Sequence, residues 1–273
     1  MSDRSAQFTP SAIMRVIPEL LDGGTMAVIV TVIEHPQFVG AKLLLDERGR
    51  SLGTLGSVDV DRVVLEHAAK FLGTPEDIRT YRSAELSTPT EFGDSLFLFE
   101  RIRPEAQLVI CGAGHVGASL AVFASLAGYR VTLIDDRQEF LKAERFSNQE
   151  VQLLLADNWT DAVRQAVGNG KGVSLAVVTR GHNEDEQCMR AAITTNPDYI
   201  GLIGSKRRTS IVINRLREAG ATEGQVKRIH APIGLDIGAV TPEEVALAIL
   251  AEIVCVRRGG SGGSLSAWRR QSS

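Results

Sequence analysis

Three glycines, Gly112, Gly114 and Gly117, form a G-x-G-x-x-G pattern between the apolar run Leu108-Val-Ile-Cys111 and an uncharged helical stretch. In that setting the first glycine permits a tight turn, the second lets a pyrophosphate reach backbone N–H groups, and the third allows close helix packing. His115 lies within the loop and is expected to face the same crevice. Asp135, about 20 residues on at the end of the next apolar run, is expected to accept from a ribose hydroxyl. Asp136 disfavours a 2′-phosphate and Arg137 suits one, so NAD and NADP both stay open. The same glycines would also serve helix-on-sheet packing with no nucleotide bound.

Two more segments carry groups fit for chemistry. Thr179-Arg180-Gly181-His182-Asn183 follows an apolar strand-like run, and places Arg180 and a loop histidine, His182, at the expected crevice. His182 is the one candidate for proton transfer; a simple loop hydrogen bond is the alternative. Gly204-Ser205-Lys206-Arg207-Arg208 opens a helix with up to three positive charges, a combination suited to phosphate. A solvated basic first turn is the competing reading, although cations at a helix N-terminus need some offset. Around Asp236, Gly234 and Gly238 predict a turn in which the carboxylate caps backbone amides. His35, His67 and His230 are scattered, and without HxxxH spacing a histidine metal site is not expected.

The elements that must hold these residues follow from periodicity. Apolar spacing predicts a helix over 9–21, strands over 26–33, 41–45, 51–55 and 95–102, and a helix over 60–72, together a small α+β domain over residues 1–103. Past Pro104 the pattern alternates strictly. Strands at 108–111, 130–134, 151–155, 173–178 and 199–203 interleave with helices at 115–127, 160–167, 185–194 and 206–219. Five apolar strands alternating with helices imply a doubly wound parallel sheet over 104–258, closed by a helix from Pro242 to Arg258. The Gly/Ser-rich stretch 259–273 reads as a flexible tail.

Composition narrows the function classes. A net charge of −3 and 5% aromatics argue against a nucleic-acid surface. Residues 108–129 contain no Asp, Glu, Lys or Arg, long enough to suggest a membrane span, but the glycines and His115 inside favour a buried strand, a turn and a buried helix. The N-terminus carries no apolar run of signal-peptide length, so no export signal is read and a cytoplasmic location is expected. Three widely spaced cysteines, Cys111, Cys188 and Cys255, supply neither a disulfide framework nor a CxxC metal site.

Taken in order, Cys111-Gly-Ala-Gly-His-Val-Gly117, Thr132-Leu-Ile-Asp-Asp-Arg-Gln-Glu-Phe140, Thr179-Arg-Gly-His182, Tyr199-Ile-Gly-Leu-Ile-Gly-Ser-Lys-Arg-Arg208, His230-Ala-Pro-Ile-Gly-Leu-Asp-Ile-Gly238 and Ala251-Glu-Ile-Val-Cys-Val-Arg-Arg258 resemble the xanthine dehydrogenase accessory family (XdhC/CoxI-like). The resemblance implies an α/β chain with a Rossmann-like C-terminal domain behind a smaller α+β domain. It also implies a chaperone-like role: holding the molybdenum cofactor, protecting it while a cysteine desulfurase installs a terminal sulfur, and passing it to an apo-molybdenum hydroxylase. A homodimer is a further open expectation. In the N-terminal domain, Gly53-Thr-Leu-Gly-Ser-Val-Asp-Val-Asp61 departs from the family's Gly-rich segment: Asp59 stands where the family has a cysteine, and a carboxylate does not replace a thiolate as a soft ligand. The residues expected to hold the cofactor, NAD(P) or the molybdenum cofactor, are Gly112, Gly114, His115, Gly117, Asp135, Asp136, Arg180, His182, Ser205, Lys206 and Arg207. Two alternatives share the fingerprint: an NAD(P)-dependent oxidoreductase using His182, and a non-catalytic nucleotide sensor.

Overall fold

The computed structural model describes residues 10–74, 76–88, 92–146 and 149–266. The chain divides into two compact units, Met1–Pro104 and Glu105–Ser273.

In the first unit an antiparallel sheet runs β3(Ser51–Thr54), β2(Lys42–Asp46), β1(Ala27–Glu34), β5(Leu96–Ile102), β4(Ile78–Arg82). β1 is buried on both faces because successive side chains point opposite ways and each face meets a helix. Val28, Val30 and Val32 pack with Val60, Val64, Ala68 and Phe71 of α2(Val58–Leu72), whereas Ala27 and Ile29 pack with Ile13 and Leu20 of α1(Pro10–Asp22). No apolar alternation marks β4, an edge strand whose Ile78, Arg79, Thr80 and Arg82 are exposed, and the periodicity passes over it. The one-turn helix α3(Ser83–Leu86) follows it.

The second unit is a parallel sheet of six strands, ordered β11(Ile229–His230), β10(Tyr199–Leu202), β9(Val173–Val177), β6(Gln107–Cys111), β7(Arg130–Asp135), β8(Val151–Leu155). Leu108 and Ile110 face α4(His115–Leu126) and α9(Pro242–Arg258). Val109 and Cys111 face α5(Trp159–Val167), α6(His182–Thr195) and α7(Lys206–Glu218). The uncharged stretch 108–129 is thus β6 and α4, and no helix among the described residues is long and apolar enough to cross a membrane. Five strands were expected here; the sixth, β11, spans two residues, too short to show a period, and follows the short helix α8(Glu223–Lys227). Residues 259–260 turn back on α9, with the Gly260 N–H donating to the Cys255 carbonyl.

The winding places the crevice. From β6 the chain steps outward through β7 to β8, then returns to the other side of β6 for β9, β10 and β11. Loops leaving β6 and β9 therefore diverge, and the gap between them at the strands' carboxyl ends is where doubly wound sheets take ligands.

Candidate functional site

The Gly loop leaves β6 with Gly112 at φ +110°, a left-handed conformation that glycine adopts without strain. Its N–H donates to the Ile134 carbonyl at 2.7 Å, and a Cβ there would lie 2.6 Å from the Val178 carbonyl oxygen. A Cβ at Gly117 would lie 1.8 Å from the Gly112 carbonyl oxygen, so α4 touches the loop backbone directly. Gly114 differs. It caps α4 with no side-chain acceptor, its φ is −63°, and a Cβ built on it meets nothing within 4 Å. The loop thus presents the positive end of α4 beside open space at the glycine expected to admit a phosphate.

Asp135, expected to take a ribose hydroxyl, has another occupation. It is 1% exposed, and accepts from the Ala113 N–H (2.7 Å), the Arg137 N–H (3.0 Å), and Arg137 Nε and Nη2 (2.8 and 3.0 Å). Burial pushes this carboxyl up, but the Arg137 guanidinium and the two backbone donors pull it further down, for a net value below the ordinary one. Asp135 therefore braces the Gly loop as an anion. Arg137 also stacks on Phe140 at 3.8 Å, and Arg145 Nη1 donates to the Ala113 carbonyl at 3.2 Å, so the 136–146 segment buttresses the loop from outside.

Next along the chain, Asp136 takes a bidentate contact from Arg180 (2.9 and 3.1 Å), and Glu184 lies 3.7 Å from the same guanidinium. His115 and His182 are both exposed. His182 is the first residue of α6, not a loop residue: the helix begins three positions earlier than its apolar spacing implies, because its first three residues, His182, Asn183 and Glu184, are polar and carry no apolar period. Neither histidine has a hydrogen-bond partner among the described residues, so His182 lacks the orienting acid that a general base ordinarily uses.

At α7, Ser205 Oγ accepts from the Arg208 N–H at 3.2 Å, and Lys206 and Arg207 stand exposed without an ion-pair partner among the described residues. The expected third charge is not available to a ligand. Arg208 Nε and Nη2 bind the fully buried Asp185 carboxylate at 2.9 and 2.6 Å, and Nη2 also reaches the Thr179 carbonyl. Thr179 Oγ1 donates to the other Asp185 oxygen at 2.5 Å. This pair locks the loop after β9 to the start of α7; nothing in the sequence marks it, since the partners are 23 positions apart.

A second unanticipated cluster lies at the sheet edge. Glu252 of α9 accepts from the Tyr199 hydroxyl (2.5 Å) and the Gly234 N–H (2.7 Å), and pairs with His230 Nδ1 (3.2 Å). It ties β10, β11 and the following loop to α9. The capping role expected of Asp236 is not found: its side chain is exposed, and α9 is capped by Thr241 with Glu244.

In the first unit Asp59 is exposed on the first turn of α2, and a Cβ at Gly56 would lie 2.7 Å from the Phe38 ring, so that ring abuts one side of an otherwise exposed loop glycine. Phe38, His35 and Phe92 form a mutual ring cluster, and His35 Nδ1 is occupied by the N–H groups of Gln37 and Phe38. With no thiol in this unit, these residues do not fit a soft metal centre. Among the described residues no cluster of three or more His, Cys, Asp or Glu is placed to hold a metal ion.

The family model for the XdhC Rossmann domain matches residues 108–253, and that of the XdhC and CoxI family matches residues 20–82. The chain belongs to the XdhC and CoxI family. Among its relatives, the uncharacterized protein YqeB of Escherichia coli is 31% identical over 82% of this chain and 41% of its own length. The molybdenum cofactor insertion chaperone PaoD of Escherichia coli is 24% identical, with 90% of this chain and 88% of PaoD covered. The XdhC-family chain thus spans about two fifths of one curated relative and most of the other. Its fold is similar to a crystal structure of a xanthine dehydrogenase from Bacillus halodurans (TM-score 0.51, 19% identity, 92% of this chain and 99% of that one). Within this XdhC-family frame, the open Gly114, the half-buried Asp136 and the exposed Arg180, Lys206 and Arg207 all follow carboxyl ends of strands of the parallel sheet.

Proposed function

We propose that this chain is an accessory factor in the maturation of a molybdenum hydroxylase of the xanthine dehydrogenase type, holding a phosphate-bearing cofactor on the loop from Gly112 to Gly117 and passing it to the apoenzyme. The observation that carries the reading is the open space at Gly114 beside an uncapped helix start, in a chain similar over nearly its whole length to a cofactor insertion chaperone. Residues suited to the hold are the backbone N–H groups at the start of α4, with Arg180, Lys206 and Arg207 adding positive charge and His115, His182 and Ser205 bordering them. When bound, the molybdenum cofactor supplies the metal-centred redox chemistry of the recipient enzyme; the chain's own residues bind, orient and shield it.

Sulfur for such a cofactor comes, in this reading, from a separate cysteine desulfurase. Cys111 and Cys188 are fully buried, and burial pushes the Cys188 thiol well above its usual range, which disfavours a reactive thiolate. Cys255 donates its thiol to the Gly260 carbonyl at 2.8 Å. None is disposed as a sulfur carrier. Equilibrium binding of the purified chain to molybdenum cofactor, to its dinucleotide forms, and to NAD(H) and NADP(H) tests the reading. Saturable binding of a molybdenum cofactor form is expected. Binding of the nicotinamide nucleotides alone would replace it with an oxidoreductase or sensor, and binding of none would remove the site.

A further inference from the structure

Two ion pairs near the crevice have their carboxylates buried, Asp135 with Arg137 and Asp185 with Arg208, at 1% and 0% exposure. The third is unlike them. Arg180 is 48% and Asp136 28% exposed, so solvent and solutes reach both ends of the contact. Its position is also distinctive. Asp136 directly follows β7 and Arg180 comes three residues after β9, and these strands lie on either side of β6. The bidentate contact therefore crosses the carboxyl end of β6, where Gly112 passes between Ile134 and Val178.

From this geometry we infer that Arg180 is the side chain that meets the ligand's phosphate, and that Asp136 occupies it until the ligand anion takes the carboxylate's place. The inference rests on the Gly-loop reading above and adds a selection rule to it. A guanidinium binds phosphate through the same fork of N–H groups that it offers a carboxylate, so the exchange conserves hydrogen bonds. An exposed pair is weak enough to exchange, which a buried one is not. Glu184, 3.7 Å from Arg180, remains as a second counter-charge after exchange and returns the arginine when the ligand leaves. A phosphate-bearing ligand can displace Asp136. Its dephosphorylated counterpart has no group with which to do so, and the crossing pair excludes it.

Calorimetric titration of the full chain with ADP, and with adenosine as the uncharged counterpart, reads this out. Asp136→Asn removes the competing anion and is expected to tighten ADP binding about tenfold; Arg180→Gln is expected to weaken it about tenfold. Asp136 also lies 3.7 Å from Arg137 Nε, a contact that is structural and does not involve Arg180. If Asp136 acts on the ligand through Arg180, the double variant should match Arg180→Gln alone, and a structural effect through Arg137 would persist in that background. Unchanged thermal midpoints for the single variants establish that the fold is intact. Equal ADP affinity in wild type and Arg180→Gln, or an Asp136→Asn effect that survives in the double variant, overturns the inference while the Gly-loop reading stands. No ADP binding by any form also overturns it, and leaves the Gly-loop reading to the molybdenum cofactor arm of the binding panel.

Discussion

Gly117→Ala should destabilise the second unit by about 3 kcal/mol or more, lowering its thermal midpoint by roughly 10 °C. The added methyl would sit 1.8 Å from the Gly112 carbonyl oxygen, a backbone atom that cannot rotate away. Gly112 itself cannot retreat, because its N–H is bound to Ile134 and the Val178 carbonyl blocks its far side. Relief would therefore require α4 to lift off the sheet, opening the core that Leu120, Ala121 and Ala124 form with Leu108 and Ile110. Gly114→Ala is the control. Its methyl meets nothing, so the stability cost stays under about 1 kcal/mol, the loss of a good cap residue. It projects into the space offered to a phosphate, and ligand affinity should fall by about tenfold. Urea unfolding of both variants, followed by titration of the folded one, separates packing from recognition. Equal stability losses at the two positions would contradict this division of labour among the glycines.

Arg208→Met is expected to cost about 3–5 kcal/mol at neutral pH, because it leaves the Asp185 carboxylate buried without its counter-charge. Asp185→Leu combined with Arg208→Met should recover much of that loss, since two apolar groups need no compensation. The pH dependence has a defined sign. Burial raises the Asp185 carboxyl above its ordinary value, even though the Thr179 hydroxyl and Arg208 pull against it. The folded state then holds its proton to higher pH than the unfolded chain, so this group's contribution is full below about pH 4 and is lost as pH rises through the folded value. In Arg208→Met the opposing pull disappears and that value climbs further. The variant's deficit should therefore shrink on going from about pH 8 to about pH 5, and urea midpoints at the two values measure it. A deficit independent of pH would mean that Arg208 contributes packing alone.

How much of this was legible in the sequence follows from which residues must cooperate. The alternation of apolar strands and helices after residue 104 is a local pattern, and it yields five strands and the helices beside them. β11 escapes it, being two residues long, and in the first unit β4 shows no apolar period because it is an edge strand with exposed arginines. The Gly loop is likewise local, and the reasons for Gly112 and Gly117 lie in backbone atoms that the spacing itself brings together. The carboxylates are different. Whether Asp135 faces a ribose or the Ala113 N–H depends on how two loops pack, and Asp185 finds Arg208 only once β9 and β10 are side by side. Glu252 gathers Tyr199, His230 and Gly234 from distant segments for the same reason. Residue type and spacing carry the Gly loop; the ion pairs that brace it and border it arise from tertiary contact.

Transfer of a cofactor to a recipient is measured directly by reconstitution of an apo-molybdenum hydroxylase. Apoenzyme incubated with limiting molybdenum cofactor should regain activity faster and to a higher yield when this chain is present, and Arg180→Gln should blunt the gain. Equal reactivation with and without the chain, at cofactor concentrations where the chain is loaded, would contradict the account.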